Sequence, residues 1–132
     1  MPTDLAYLAL SVLLGFAHVM AAGAAATHVR GIAWNAGPRD AQLPPLTGVA
    51  GRLERAARNF LETFAFFLAA VGIVYFTGRE GAMSVLGAAL YFWARLVYLP
   101  LYAFGVPYVR SLAWGVAMAG IGLLLAVGAG LV

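Results

Sequence analysis

Apolar positions run in four long stretches separated by short polar breaks. The first covers about Leu5–Thr27 and is interrupted only by Ser11 and His18. The second begins near Gly51 and ends near Thr77, the third runs from about Met83 to Phe104 with Arg95 inside it, and the fourth, Ser111–Val132, carries no charge. A helix needs about 20 residues to cross a ~30 Å hydrocarbon core, and each stretch has them. The pattern predicts an all-α membrane protein, one domain over residues 1–132 built as a four-transmembrane-helix bundle. Val29–Ala50 reads as the one long loop, with Gly37-Pro38 and Pro44-Pro45 as breakers. Thr77–Gly81 reads as a tight turn, and Gly105-Val106-Pro107 as the last connection. Pro100 removes the hydrogen bond to the Leu96 carbonyl, which predicts a kink late in the third span.

Composition agrees with that reading. Hydrophobic residues make up 64% of the chain and charged residues 10%, whereas a soluble domain has nearer half and a quarter. The mean hydropathy is +0.91. The N-terminus lacks the basic n-region of a signal peptide, offering only Asp4 before an apolar run long enough to stay in the membrane. There is no cysteine, so thiol chemistry requires a bound small molecule. All eight basic residues are arginine, too few for a nucleic-acid surface but suited to forked contacts with carboxylates. His18 and His28 form no metal-ligand spacing; His18 reads as a satisfied interhelical histidine and no metal site is expected.

Charge placement sets an expected orientation. Arg30, Arg39, Arg52, Arg55 and Arg110 fall on one side of the predicted bundle, against Arg79 on the other. The positive-inside rule then puts the first and third loops in the cytoplasm and both termini outside it.

The candidate chemistry lies where charge enters the membrane. Arg55, Arg58, Asn59 and Glu62 follow one another at i, i+3, i+4 and i+7, on one face of the second span. Charges within a span are costly and persist with a partner, a cavity or a function. Glu62 can pair with Arg58 four residues before it, or across to another helix. Arg95, Tyr98 and Tyr102 make a second polar stripe, with Tyr91 one turn earlier, and Arg110-Ser111 opens the fourth span. Arg52, Arg55, Arg58, Arg95 and Arg110 share this half with only Glu54 and Glu62, so water, lipid phosphate or an anionic ligand must balance them. A plainer reading takes Arg52 and Arg55 as snorkelling anchors, and Gly115, Gly120 and Gly122 as packing positions.

Two segments resemble a known family. Glu54-Arg55-Ala56-Ala57-Arg58-Asn59-Phe60-Leu61-Glu62-Thr63 resembles the helix-two signature of the MAPEG family, the membrane-associated proteins in eicosanoid and glutathione metabolism. Arg95-Leu96-Val97-Tyr98, Tyr102 and Pro107-Tyr108-Val109-Arg110-Ser111 resemble its helix-three-to-four signature. The resemblance spans the whole chain and looks most like a bacterial member, which implies a bacterial inner membrane. It implies a homotrimer with glutathione as co-substrate, bound between subunits near the cytoplasmic side. By motif position, Arg55, Arg58, Asn59, Glu62, Arg95, Tyr98 and Tyr102 would contact glutathione, and Arg110 and Ser111 would act on its thiol. Tyr98 stands where an eicosanoid-synthesising member can carry histidine, and Trp114 where it can carry tyrosine, so eicosanoid synthesis is not the implied reaction.

Three functions compete. The first is a glutathione transferase or peroxidase acting in detoxification on lipophilic electrophiles that arrive through the membrane lipids. The second is a non-catalytic member that binds and presents a lipid. The third is a small multidrug transporter, disfavoured because the first span has no acid except Asp4 at its edge.

Overall fold

A computed structural model describes residues 1–132, and all of its regular secondary structure is helical. α1 (Thr3–Arg30), α3 (Gly48–Thr77), α4 (Ala82–Ala103) and α5 (Tyr108–Gly128) are each long and apolar enough to span a membrane. The protein is an all-α integral membrane protein with four candidate spans. The expected long loop is shorter than Val29–Ala50, because α1 continues to Arg30 and a five-residue helix, α2 (Ile32–Ala36), follows. The last helix starts at Tyr108, just after Pro107, and ends at Gly128 rather than at the chain's end.

The turns have local causes. Gly78 ends α3 in the left-handed region at φ 65°, where a side chain is disfavoured. The backbone N–H groups of Gly78 and Arg79 donate back to the Tyr75 and Val74 carbonyls at 3.1 Å each. Gly105, at φ 73°, repeats the device after α4, and the Val106 N–H reaches the Leu101 carbonyl at 2.9 Å. Both are glycine stops that satisfy otherwise orphaned carbonyls.

Helices α3 and α4 form the centre. α1 packs on both from one side and α5 on both from the other, while α1 and α5 do not touch. The core joins Phe60, Phe67, Ala70, Val71 and Val74 of α3 to Ala88 and Tyr91 of α4 and Leu124 of α5. Phe67 and Tyr91 stack with ring centroids 4.0 Å apart. Tyr91 therefore belongs to the core, and its hydroxyl shares a 3.0 Å hydrogen bond with the Thr63 hydroxyl. α4 and α5 cross backbone to backbone at Gly87 and Gly120: a Cβ on Gly120 would sit 2.5 Å from the Gly87 carbonyl oxygen. Gly115 and Gly122 have no such neighbour, so of the three expected packing glycines only Gly120 serves the bundle.

Three polar residues of α1 are buried: Asp4, Ser11 and His18. Asp4 is buried rather than at an exposed edge, and Oδ2 accepts a 3.0 Å hydrogen bond from the Ser84 hydroxyl of α4. The His18 ring is buried and stacks on Phe60 at 4.7 Å. Its Nδ1 lies 2.9 Å from the Leu14 carbonyl of its own helix and its Nε2 has no partner, so the interhelical bond expected for His18 is absent.

Candidate anion site at one end of the bundle

The start of α3, the end of α4 and the start of α5 converge at one end of the molecule. Arg55 projects from α3 and donates from Nε to the Tyr102 hydroxyl of α4 at 3.1 Å. From α5, Arg110 lays its guanidinium 4.6 Å from the centroid of the same ring. Arg52 donates from Nε to the Ala103 carbonyl at 2.8 Å, so it holds the C-terminus of α4 rather than snorkelling. Arg52, Arg55, Tyr102 and Arg110 line a cleft of about 250 Å³ with Gly105 and Pro107. A second cleft of about 200 Å³ shares Arg110 and adds Asn59, Tyr98, Ser111 and Trp114.

Behind the second cleft lies Arg95, the largest fully buried side chain in the protein. One nitrogen, Nη1, donates to Asn59 Oδ1 at 2.7 Å. The cation rests 4.1 Å from the centre of the Tyr98 ring and 5.3 Å from that of Phe60. Its Nε and Nη2 have no hydrogen-bond partner. No carboxylate faces it, since the one ion pair in the molecule is Arg58–Glu54 at 3.4 Å. Leaving a buried charge this poorly paired costs several kcal/mol by general experience with buried ions.

The structure thus brings together seven of the nine sequence-predicted residues: Arg55, Asn59, Arg95, Tyr98, Tyr102, Arg110 and Ser111. It does not bring in Arg58 or Glu62. Arg58 turns outward and pairs with Glu54, so of the two partners open to Glu62 the one on its own helix is taken elsewhere. The two acids sit four residues on either side of Arg58, so helical spacing alone does not choose between them. Glu62 is exposed near the middle of α3 and has no side-chain partner within its own chain. Trp114 and Arg52 line the clefts without having been singled out as site residues. For Arg52 the sequence signal was its place among the arginines that outnumber the acids of this half; for Trp114 it was its position three residues after Ser111, where some members of the family can carry tyrosine.

The whole arrangement can be compared with known proteins. Residues 5–130 match the MAPEG family. The chain belongs to the MAPEG family. No curated protein matches the chain. The match covers all four spanning helices of this MAPEG protein, including every cleft residue named above. Both segments that carry the resemblance meet at the clefts: Arg55 and Asn59 come from the first, and Arg95, Tyr98, Tyr102, Arg110 and Ser111 from the second.

Proposed function

We propose that this MAPEG protein binds glutathione as co-substrate and acts as a membrane transferase or peroxidase on lipophilic electrophiles. The observation that carries the reading is Arg95: a buried cation with two unpartnered nitrogens, set behind a cleft lined by a second arginine. Such a group calls for an anion. The residues fit glutathione. Its two carboxylates match the clefts that share Arg110, and its amine matches Glu62, which is otherwise unpaired. The absence of cysteine from the chain makes an external thiol necessary for this chemistry.

Glu62 also supports assembly. An exposed carboxylate near the middle of a spanning helix would face lipid in a lone subunit, where charges are costly. A homotrimer with the site between neighbouring subunits removes it from lipid, along with Arg58. The polar end then faces the cytoplasm and both termini the other side, in a bacterial inner membrane, in keeping with the arginine bias of the first and third loops.

When bound, glutathione would supply the nucleophilic sulfur. Arg110 lies in the first turn of α5, where its charge and the free backbone N–H groups of the helix both favour an anion. The Ser111 hydroxyl can donate to the same atom. A free thiol has pKa about 8.5, and such surroundings bring it below about 7.5. Asn59 fixes Arg95, and Arg55 fixes the Tyr102 ring, so the cationic groups are held in place before a ligand arrives.

Calorimetry with glutathione in detergent tests the reading. Glu62→Ala should weaken binding at least about tenfold, within the range for breaking a buried charge contact. Wild-type protein that gives no heat with glutathione overturns the proposal. Unchanged affinity in the mutant removes Glu62 from the site.

A further inference from the structure

Arg95 stands behind the cleft, and what holds it reaches back to a helix that lines neither cleft. Its guanidinium makes one hydrogen bond, to Asn59, and otherwise rests on two rings, Tyr98 and Phe60. Tyr98 lines the cleft itself. Phe60 is buried in the core and lines neither cleft. A cation held against a ring face moves with that ring. With a single hydrogen bond to direct it, Arg95 takes its place in large part from Phe60.

Helix α1 holds Phe60 with two residues. Gly15 and His18 lie three apart on the buried face of α1. At Gly15 the backbone of α1 comes up to the ring edge: a Cβ there would sit 2.5 Å from Phe60 Cε1. The His18 ring lies on the Phe60 ring, with centroids 4.7 Å apart and 30° between the planes. His18 is itself locked in direction. Its Nδ1 is 2.9 Å from the Leu14 carbonyl, which only accepts, so Nδ1 carries a proton and donates it. That bond stays within α1. Nε2 has no partner at all. His18 therefore makes no hydrogen bond to another helix. What it offers the bundle is the flat face of a ring whose orientation its own helix fixes. A bare Nε2 is costly inside a protein, and an apolar residue would avoid that cost. The stack on Phe60 is what the locked ring provides in return.

We propose that His18 is a positioning residue for Arg95: with Gly15 it holds the Phe60 ring, and that ring holds the guanidinium behind the cleft. The consequence for glutathione affinity rests on the function proposed above, whereas the placement of Arg95 does not. No residue of α1 lines either cleft, so within the subunit the route from His18 to the ligand runs through Phe60 and Arg95.

Nuclear magnetic resonance of the ligand-free protein, labelled with ¹⁵N-arginine, tests the placement. The chain has eight arginines, so the Nε–H spectrum is simple, and the Arg95 signal is the one missing from Arg95→Met. His18→Leu removes the stacked ring and should shift the Arg95 signal. Gly15→Ala presses on the edge of Phe60 and should shift the same signal. His18→Phe keeps a flat ring there and should leave the signal near its wild-type position. The Arg79 signal, from the turn after α3, should stay fixed in all three. Calorimetry then reads the consequence. His18→Leu should weaken glutathione about fivefold, the factor that the worth of one aromatic pair implies, and His18→Phe should restore the affinity. An unmoved Arg95 signal in both His18→Leu and Gly15→Ala overturns the proposal. So does a shift of every arginine signal, which would mean a loosened bundle. A His18→Phe variant that behaves like His18→Leu also overturns it, since the nitrogens rather than the ring face would then matter. Unchanged affinity in His18→Leu, in a wild type that binds glutathione, overturns it as well. A wild type that gives no heat with glutathione defeats the proposed function instead, and the shifted Arg95 signal still supports the positioning role.

Discussion

The two ends of the bundle treat buried charge in opposite ways. At one end Asp4 is enclosed between α1 and α4, yet its carboxylate is served by neutral donors: the Ser84 hydroxyl at 3.0 Å and the Leu5 N–H at 2.9 Å. At the other end Arg95 is enclosed more completely and is served by one amide oxygen. The first arrangement is finished within the chain. The second is left open, beside a cleft that already holds Arg110. Buried polar groups are normally satisfied, so an unsatisfied one marks either strain or a missing partner. Here the missing partner has an obvious charge.

Three substitutions sharpen the contrast, the largest effect first. Arg95→Met should leave the ligand-free protein as stable as wild type or more so, since replacing an ill-paired buried charge by an apolar side chain is often neutral or favourable. On the proposed function, glutathione at 100 times Kd should stabilise the wild type by ~2.7 kcal/mol, and the same variant should lose that gain. Thermal unfolding in detergent with and without glutathione reads both. If Arg95→Met melts much earlier without ligand, Arg95 is a structural strut and the contrast fails.

Next in size is Arg110→Ala. On the proposed function, loss of its charge should return the thiol of bound glutathione toward its free pKa, about one unit higher. The thiol is anionic above its pKa, so activity at neutral pH should fall about tenfold and recover as pH rises past 8.5. Glutathione should still bind through the remaining contacts. Superimposable pH profiles for mutant and wild type would make Arg110 an interface anchor only.

The smallest effect belongs to the closed end. Asp4→Ala removes an acceptor from Ser84, which keeps the Gly81 carbonyl as an alternative at 3.0 Å. The expected cost is ~1 kcal/mol of stability, the usual net worth of one hydrogen bond. The glutathione-induced shift should not change. A change in that shift would mean that the two ends are coupled.

Much of this was legible in the chain, for physical reasons. Spans show in sequence because lipid demands about 20 apolar residues in a row, whatever their neighbours. Most of the cleft was legible too, since helical spacing puts Arg95, Tyr98 and Tyr102 on one stripe. Pairings between helices were not. Asn59 meets Arg95, and Asp4 meets Ser84, because of how the helices rotate about their axes, which no local pattern encodes. Helix α2 was missed because five residues beside Gly37-Pro38 carry too little periodicity to distinguish from loop. The outward turn of Arg58 toward Glu54 was equally invisible, as the sequence offers it two acids at the same spacing.

The crossing of Gly87 and Gly120 acts mechanically, like the pin of a pair of scissors. α4 and α5 are the blades, and their backbones approach closely there. Arg95 and Arg110 lie along the blades, with Arg110 ten residues from the pin, about 15 Å at 1.5 Å per residue. A side chain added at the pin would push the blades apart there, while the short connection through Gly105 and Pro107 keeps their ends beside Arg110 joined. The tilt between the two helices that carry Arg95 and Arg110 is therefore set in part by two residues that line neither cleft.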